Sequence, residues 1–309
     1  MPKFQYHQRD LVTTNNSQYH IVRQIRKTGF SELYEAQQTG TGEKVALKIE
    51  LGETSEDVGL RKEFQVYDRI KGKKGFIKMI DFQETAQQRL AAFEFICAPT
   101  LAEAIEFNRD SLDWRLGIEI VRQVLEISKE LREAGIYNRD VKASNMFLLE
   151  DDKVLIFDFG IAHIQGEPQR RKGKVFASMN EAAPERFLQN EYDEQRSEIY
   201  SIATVGLAIH MGNEVWKIKG EEPQNAIIRK HTQGIVIPPS IPKHLKQVYL
   251  RATNPDPQLR QGTFEEFEAE LEWAVRKYEQ RQKLIAITGG IGIMVGCAAA
   301  GSAAAYFLS

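Results

Sequence analysis

The sequence predicts an α+β fold of two lobes, a small β-rich N-lobe and a larger helical C-lobe, followed by one C-terminal transmembrane helix. Apolar and polar residues alternate with a strand-like period in the first hundred residues, whereas helical periodicity dominates beyond Pro99. The last 26 residues carry no charge. The predicted boundaries are an N-terminal extension over 1–18, the N-lobe over 19–97, the C-lobe over 98–283 and the transmembrane helix over 284–308.

The composition is that of a folded protein with little net charge. The 309 residues include 41 Lys and Arg against 43 Asp and Glu, which gives a formal net charge of −2. This balance gives no indication of nucleic-acid binding, and no nucleic acid is expected as a partner. The two cysteines, Cys97 and Cys297, lie far apart in different contexts, which favours a reducing compartment without a disulfide framework.

Five strands and one helix are predicted in the N-lobe. The helix is expected over 57–71, and Thr39-Gly40-Thr41-Gly42 is expected to form the turn between the second and third strands. The predicted strands are Tyr19–Ile25, Glu32–Gln37, Lys44–Glu50, Phe76–Phe82 and Leu90–Phe95.

The C-lobe is predicted to be mostly helical. Asp113 is a candidate N-cap for a long amphipathic helix that reaches Ala134 and ends at Gly135. An aspartate can accept hydrogen bonds from the first turn of a helix, and glycine tolerates the left-handed conformation that ends many helices. Further helices are expected over 197–211, 243–253 and 264–283.

The uncharged C-terminal segment is long enough to cross a bilayer. At about 1.5 Å per residue it would cover roughly 39 Å as a helix, against a hydrocarbon core of about 30 Å. The basic residues before it are Arg276, Lys277, Arg281 and Lys283. By the positive-inside tendency they predict a single-pass, C-terminally anchored membrane protein with residues 1–283 in the cytoplasm. A buried core helix is the alternative interpretation.

Small residues recur at every fourth position of this segment, at Thr288, Gly292, Gly296, Ala300 and Ala304. Small side chains at this spacing allow two membrane helices to approach each other closely. The Gly292/Gly296 face therefore predicts a homodimer, and a plain anchor made of small residues is the alternative.

Several separate motifs carry the groups that phosphoryl transfer needs, which are ligands for phosphates and divalent cations and a group that aligns an acceptor hydroxyl. The first is Val45-Ala46-Leu47-Lys48, followed by Glu63 on the predicted helix. The others are Asn138-Arg139-Asp140-Val141-Lys142-Ala143-Ser144-Asn145, Phe157-Asp158-Phe159-Gly160 and Ala183-Pro184-Glu185. Their order along the chain is more specific than any one of them.

From about Tyr19 to Lys277 these motifs resemble the eukaryotic-type (Hanks-type) serine/threonine protein kinase family. The resemblance implies a bilobal protein kinase-like fold, with ATP and Mg²⁺ as cofactors and Mn²⁺ as an alternative ion. It implies transfer of the ATP γ-phosphate to Ser/Thr hydroxyls of protein substrates. Lys142 favours a serine/threonine kinase over tyrosine kinases and small-molecule phosphotransferases.

The resemblance also implies a role for each candidate catalytic residue. Lys48 would contact the α- and β-phosphates and pair with Glu63, with Glu53 or Glu56 as alternative partners.

In the catalytic loop, Asp140 would accept the proton of the acceptor hydroxyl or orient that hydroxyl, and Lys142 would steady the transferring phosphate. Asn145 and Asp158 would bind magnesium, for which oxygen ligands are suited.

A nucleotide pocket is implied between the lobes. Phe93 would stand at the back of the adenine pocket, and the backbones of Glu94 and Ile96 would offer hydrogen bonds to adenine. The other predicted contacts are Ile25, Gly29, Leu33, Ala46 and Lys48.

The loop expected to cover the phosphates departs from the family pattern. The three glycines of the family fall on Arg26, Thr28 and Ser31, so that Gly29 is the only glycine of the loop. Because glycine lets a backbone approach phosphates closely, this difference predicts reduced nucleotide affinity.

Two further departures lie at Asn138, where the family has histidine or tyrosine, and at Glu198, where it has an aspartate that anchors the catalytic loop. Both changes predict a looser site, and neither removes a reacting group. The alternative to an active kinase is therefore a catalytically weak or inactive pseudokinase that acts as a membrane-tethered interaction scaffold.

No Ser, Thr or Tyr occurs over 161–177. Many family members are activated when a phosphate in this segment pairs with the arginine before the catalytic aspartate, here Arg139. The sequence therefore predicts no regulation by phosphorylation within 161–177. The resemblance places Ser178 near the catalytic residues and pairs Glu185 with Arg260 as a structural ion pair.

Overall fold

A computed structural model describes residues 6–28, 31–50, 58–86, 88–108, 112–168, 181–188, 191–215 and 222–283. Among them, no helix combines the length and the apolar character needed to cross a bilayer. Several predicted features lie outside these residues: the transmembrane helix with Gly292 and Gly296, Gly29 of the phosphate loop, the alternative partners Glu53 and Glu56, and Ser178.

The N-lobe is built on a six-stranded sheet with the order β1-β2-β3-β4-β6-β5, in which all neighbours are antiparallel. The strands are β1 Leu11–Thr13, β2 Gln18–Lys27, β3 Ser31–Gln38, β4 Lys44–Glu50, β5 Met79–Glu84 and β6 Arg89–Glu94. The five predicted strands are confirmed. Residues 11–13 of the predicted N-terminal extension add β1 to the sheet edge.

The fourth predicted strand begins three residues later than expected. Phe76 forms only an isolated bridge with Ile156, and the N–H of Ile77 donates to the carbonyl of Ile156 at 3.4 Å. The N–H of Ile156 in turn donates to the carbonyl of Gly75 at 2.8 Å. The backbone over 75–77 therefore pairs with the C-lobe, and the N-lobe sheet resumes at Lys78, whose carbonyl accepts from Glu94 N.

Helix α1, Leu60–Arg69, follows β4 and confirms the helix predicted over 57–71. Its start is held from two sides. The side chain of Glu50 at the end of β4 accepts a hydrogen bond from Leu60 N at 2.8 Å, and Gly59 N donates to the carbonyl of Gly160 at 2.8 Å. These bonds satisfy amides that a helix start leaves without partners, and they fix α1 relative to both lobes.

The C-lobe helices are α2 Leu101–Asn108, α3 Trp114–Glu133, α4 Glu185–Leu188, α5 Glu194–Met211, α6 Pro223–Gln233, α7 Lys243–Ala252 and α8 264–283. Asp113 caps α3 as predicted, since its Oδ1 accepts from Arg115 N at 2.8 Å and Leu116 N at 3.1 Å. Gly135 follows α3 with φ of 73°. The predicted helices at 197–211, 243–253 and 264–283 are confirmed.

Helix α5 lies at the centre of the C-lobe core and is buried on nearly every face. It packs against α3 and α7, which present one apolar face each. A helix surrounded by other elements makes a rigid support for the loops that contact its first turns.

Two small antiparallel sheets frame the loops that carry the remaining motifs. One pairs β7 Ile136–Tyr137 with β10 His163–Ile164, and the other pairs β8 Met146–Leu148 with β9 Val154–Ile156. The catalytic loop over 138–145 leaves β7 and enters β8. The Asp158 motif leaves β9 and leads to β10, so both loops emerge side by side.

Candidate active site

Lys48, Glu63 and Asp158 meet between β4, α1 and the turn after β9. Lys48 Nζ lies 2.7 Å from Glu63 Oε2 and 3.0 Å from Asp158 Oδ1. The predicted pairing of Lys48 with Glu63 is confirmed. In the sequence, Glu63 lies 15 residues and Asp158 lies 110 residues after Lys48. Only the folded chain brings the three side chains together.

The three groups carry one positive and two negative charges, and their pKa values reflect this imbalance. Burial lowers the pKa of Lys48, but Asp158 and Glu63 outweigh it and raise that pKa above its usual value. Burial and the nearby Asp158 raise the pKa of Glu63 to about 7, although Lys48 opposes the shift. Burial opposes the ionisation of Asp158, but Lys48 and Lys142 hold the pKa of its carboxyl low. Asp158 is therefore the more acidic of the two carboxyl groups.

The turn that carries Asp158 is held by aromatic packing. Asp158 has a φ of 68°, which is unusual for a residue with a side chain and needs support from its surroundings. Phe159 is fully buried, with its ring centroid 5.4 Å from Tyr67 of α1 and 5.8 Å from Phe76. The position of Asp158 is thus coupled to that of α1, which carries Glu63.

In the catalytic loop, three predicted residues contact one another. Lys142 Nζ donates to Asp140 Oδ2 at 2.7 Å, and Asn145 Nδ2 donates to the same oxygen at 2.9 Å and to the Asp140 carbonyl at 3.2 Å. Two donors therefore orient the Asp140 carboxylate.

The two unusual residues of the loop region hydrogen-bond its backbone. Glu198 Oε2 accepts from Asn138 N at 3.0 Å, and Asn138 Oδ1 accepts from Asp140 N at 3.2 Å. Burial raises the pKa of Glu198 to about 7, while the Asn138 N–H lowers it in part. Glu198 attaches the loop backbone to α5, and the Asn138 side chain bonds the backbone within the loop. The looser site predicted from the sequence stays a prediction.

Asn145 and Asp158 fit a magnesium site that also uses nucleotide phosphates. Because the Nδ2 of Asn145 donates to Asp140, its Oδ1 is the atom that could bind a cation. The Asp158 side chain is 41% exposed and ionised. Mg²⁺ in nucleotide sites commonly takes one or two protein oxygens together with phosphates and water. In this site the ion would neutralise charge on the phosphates.

Sheet register places much of the predicted nucleotide pocket on one face of the N-lobe sheet. Lys48 is opposite Leu33 on β3, and Ala46 is opposite Phe93 on β6. Alternate residues of a strand share a face, so these four side chains line the same surface. Ile25 lies at an irregularity between β2 and β3 and is 40% exposed.

The predicted adenine contacts lie at the end of β6 and just beyond it. Phe93 is buried, with its ring 5.5 Å from Tyr67, which agrees with a position at the back of the pocket. The N–H of Glu94, however, donates to the Lys78 carbonyl at 2.9 Å. Of the two backbone groups of Glu94, the carbonyl therefore remains the candidate adenine contact, beside the backbone of Ile96. Ile96 is half-buried just beyond β6.

The predicted ion pair between Glu185 and Arg260 is confirmed. Both Arg260 Nη atoms donate to the Glu185 carboxylate, at 2.6 and 2.8 Å, and the two side chains are 0% and 1% exposed. Arg260 also donates to the carbonyl of Asn254 at 2.7 Å. The pair fixes α4, at the end of the segment after Asp158, to the loop before α8.

Sequence reasoning missed three charged residues next to the site, Lys62, Glu167 and Glu194. Lys62 pairs with Glu167, and Glu194 pairs with Arg139. The partners are 105 and 55 residues apart in the chain. No motif or spacing in the sequence signals these contacts.

The geometry is that of a protein kinase, and comparison with known proteins agrees. Residues 19–270 match the protein kinase domain, and the chain belongs to this family.

Named relatives are serine/threonine protein kinases. The chain is 26% identical over 251 residues to serine/threonine-protein kinase PknH of Mycobacterium tuberculosis. The aligned region covers 78% of this chain and 39% of PknH. The chain is also 25% identical over 266 residues to a probable serine/threonine-protein kinase of Clostridium perfringens. That aligned region covers 83% of this chain and 38% of the relative. For PknE of Mycobacterium bovis the identity is 27% over 255 residues, with 79% and 44% covered. The chain thus spans about two fifths of the length of these relatives.

Proposed function

We propose that this chain is an active serine/threonine protein kinase that transfers the γ-phosphate of Mg²⁺-bound ATP to protein hydroxyls beside a membrane. The observation that carries the proposal is the position of Lys48 Nζ, 2.7 Å from Glu63 and 3.0 Å from Asp158. A lysine held between a helix carboxylate and a metal-binding carboxylate is what a triphosphate site in this family requires.

The proposed reaction assigns each group a step. The oxygen of the substrate hydroxyl attacks the γ-phosphorus, the bond from that phosphorus to the ADP oxygen breaks, and the hydroxyl proton passes to Asp140. Lys142, 2.7 Å from Asp140, would contact the transferring phosphate. Lys48 would hold the α- and β-phosphates, and Asn145 and Asp158 would hold the ion. Most of the rate gain would come from positioning and charge stabilisation.

The test is phosphate transfer by the full chain in detergent, with labelled ATP, Mg²⁺ and a general protein substrate. Asp158→Ala is expected to lower transfer at least about a hundredfold, because an electrostatic stabiliser of the reacting phosphate is lost. Asp151→Ala is the matched control, since Asp151 is an exposed aspartate paired with Lys153 at the surface. Equal transfer by wild type and Asp158→Ala would reject the proposal.

The pseudokinase alternative rests on the altered glycine loop and on Asn138 and Glu198. Against it, Glu198 bonds the catalytic loop to α5, and Asn138 bonds the backbone of Asp140 within that loop. The same assay separates the two functions, because a scaffold would bind partners without transferring phosphate above the Asp158→Ala background.

We further propose that residues 284–308 anchor the chain in a membrane with the kinase domain in the cytoplasm. The uncharged segment and the four basic residues before it support this. The full chain is expected to float with lipid vesicles in a density gradient, and a chain ending at Lys283 is expected to stay at the bottom. Flotation of both chains would show that the segment is not the anchor.

The small-residue face supports a proposed homodimer within the membrane. Gly292→Ile with Gly296→Ile is expected to lower the yield of cross-linked dimer, because bulky side chains separate the two helices. An unchanged yield would reject this face as the contact.

A further inference from the structure

Arg139, the residue before Asp140, is a buried cation whose charge is compensated within the chain. Its side chain is 5% exposed. Its Nε donates to both carboxylate oxygens of Glu194, at 3.0 and 3.1 Å, and its Nη2 donates to the same carboxylate. Because a buried guanidinium without a counter-charge is costly, Glu194 fixes the side chain next to Asp140.

The backbone of Arg139 is held as well. Its φ is 65°, a conformation that costs free energy in a residue with a side chain, and its carbonyl accepts from Arg186 Nη1. Glu194 is the first residue of the buried helix α5. Burial opposes its ionisation, but His163 and Arg139 lower the pKa of Glu194 below its usual value. The catalytic loop is thereby attached to an ionised group on a rigid element.

Lys62, the residue before Glu63 on α1, is the second buried cation. Its side chain is 2% exposed, and its Nζ donates to both oxygens of Glu167 at 2.6 and 2.7 Å. Glu63 pairs with Lys48 in the candidate active site. Two successive residues of α1 are therefore attached, one to the catalytic lysine and the other to the segment after Asp158.

His163 connects the two ion pairs. Its Nδ1 lies 3.1 Å from Glu194 Oε1, and its Nε2 lies 3.1 Å from the backbone carbonyl of Glu167. Lys62, Glu167, His163, Glu194 and Arg139 form one continuous set of contacts, here called the internal bridge. In this set, Lys62 contacts the carboxylate of Glu167 and Arg139 contacts that of Glu194.

We propose that Glu167 and Glu194 are positioning residues, which hold α1 and the catalytic loop ready for phosphoryl transfer without a phosphate on the segment after Asp158. The inference rests on the proposed kinase function. Residues 161–177 contain no Ser, Thr or Tyr to carry a phosphate. In the internal bridge, Glu167 and Glu194 supply the negative charge that the buried Lys62 and Arg139 need.

Glu167→Gln in the full chain is the first test, because Glu167 is the more exposed partner, at 36% against 2% for Lys62, and thermal unfolding establishes that the variant is folded. The matched control is Glu268→Gln, which breaks a 2.6 Å pair with Lys129 at a carboxylate 40% exposed, far from the cleft. Glu167→Gln is expected to lower kcat about tenfold through misplacement of Lys48, with little change in KM for the protein substrate. Glu167→Asp is expected to restore part of kcat, and Glu268→Gln to leave it unchanged.

Hydrogen exchange measures positioning without activity. Glu167→Gln is expected to speed amide exchange in α1, and Glu194→Gln to speed it over 138–145, relative to Glu268→Gln. If Glu194→Gln does not fold, Glu167→Gln alone decides. Unchanged exchange in α1 would overturn the proposal, as would an unchanged kcat.

Phosphatase treatment of the wild type completes the test. Treated protein is expected to keep its kcat, and a loss of kcat would overturn the proposal by showing that a phosphate is needed. If the wild type transfers no phosphate at all, the proposed function fails, and exchange in α1 then decides whether the internal bridge holds the helix.

Discussion

At the scale of single residues, the candidate site is organised by unequal sharing of charge. Lys48 contacts two carboxylates; it holds the pKa of Asp158 below its usual value, whereas burial raises the pKa of Glu63 to about 7. A bound Mg²⁺ and triphosphate would add both signs of charge here. The charges of the site are therefore suited to a triphosphate that binds together with its cation.

Glu198 provides a prediction about pH. Its pKa is raised to about 7 by burial, so between pH 4.5 and 7 the folded chain binds more protons than the unfolded chain. Its stabilising contribution is complete below the unfolded pKa and is lost as pH rises through about 7. Glu198→Gln keeps an oxygen that can accept from Asn138 N. The unfolding free energy of this variant minus that of the wild type is expected to be about 2–3 kcal/mol larger at pH 8 than at pH 4. Urea unfolding at several pH values measures this, and a difference that is constant with pH would contradict it.

Sequence motifs identified most single residues of the site because each motif is local. Lys48, Asp140, Asn145 and Asp158 lie in short stretches that keep their spacing in the fold. The availability of one backbone group, the N–H of Glu94, depends instead on pairing with Lys78 and could not be predicted. The sequence alone does not show which carbonyl will accept a hydrogen bond from a given backbone amide.

At the scale of elements, buried ion pairs fix the segments that flank the site. Arg260 and Glu185 are 0% and 1% exposed. Arg260→Leu is expected to lower the unfolding free energy by about 3–5 kcal/mol, since it leaves the Glu185 charge buried alone. Arg115→Leu breaks an exposed pair with Asp113 and is expected to cost less than about 1 kcal/mol. Denaturant unfolding compares the two, and equal costs would contradict this account.

The packing of α5 against α3 and α7 gives another prediction. A Cβ on Gly206 would lie 2.5 Å from Val121 Cγ2 and 2.7 Å from Tyr249 Oη. Gly206→Ala is therefore expected to cost about 1–3 kcal/mol despite the better helix propensity of alanine.

Gly262→Ala is the matched control for this packing, because its new Cβ would meet the ends of Arg196 and Glu266 at an ordinary 3.4 Å. Thermal unfolding of both variants measures the difference. If Gly206→Ala were as stable as Gly262→Ala, the result would contradict the close packing of α5 against α3 and α7.

Long periodic elements were predictable, and short or interlobe ones were not. Helix α3 has an N-cap, an apolar face and a terminal glycine in its own sequence. Helix α2 spans eight residues, which is too few to establish a period. The loss of strand pairing at Phe76 arises from contact with Ile156, eighty residues away in the chain. Such contacts belong to the tertiary structure and leave no local pattern.

At the scale of the whole molecule, the two lobes are joined at the site by side chains and backbone together. Lys48 of β4 reaches Asp158, and Gly59 N reaches the carbonyl of Gly160. The central claim is that the Lys48 ammonium and the oxygens of Asn145 and Asp158 surround one Mg²⁺-bound triphosphate.

A crystal structure of the chain with Mg²⁺ and a non-hydrolysable ATP analogue tests this claim most directly. It should show Lys48 Nζ within hydrogen-bonding distance of the α- and β-phosphates, with Asn145 and Asp158 coordinating the ion at about 2.1 Å. A nucleotide bound away from Lys48, or an ion that touches neither Asn145 nor Asp158, would contradict it.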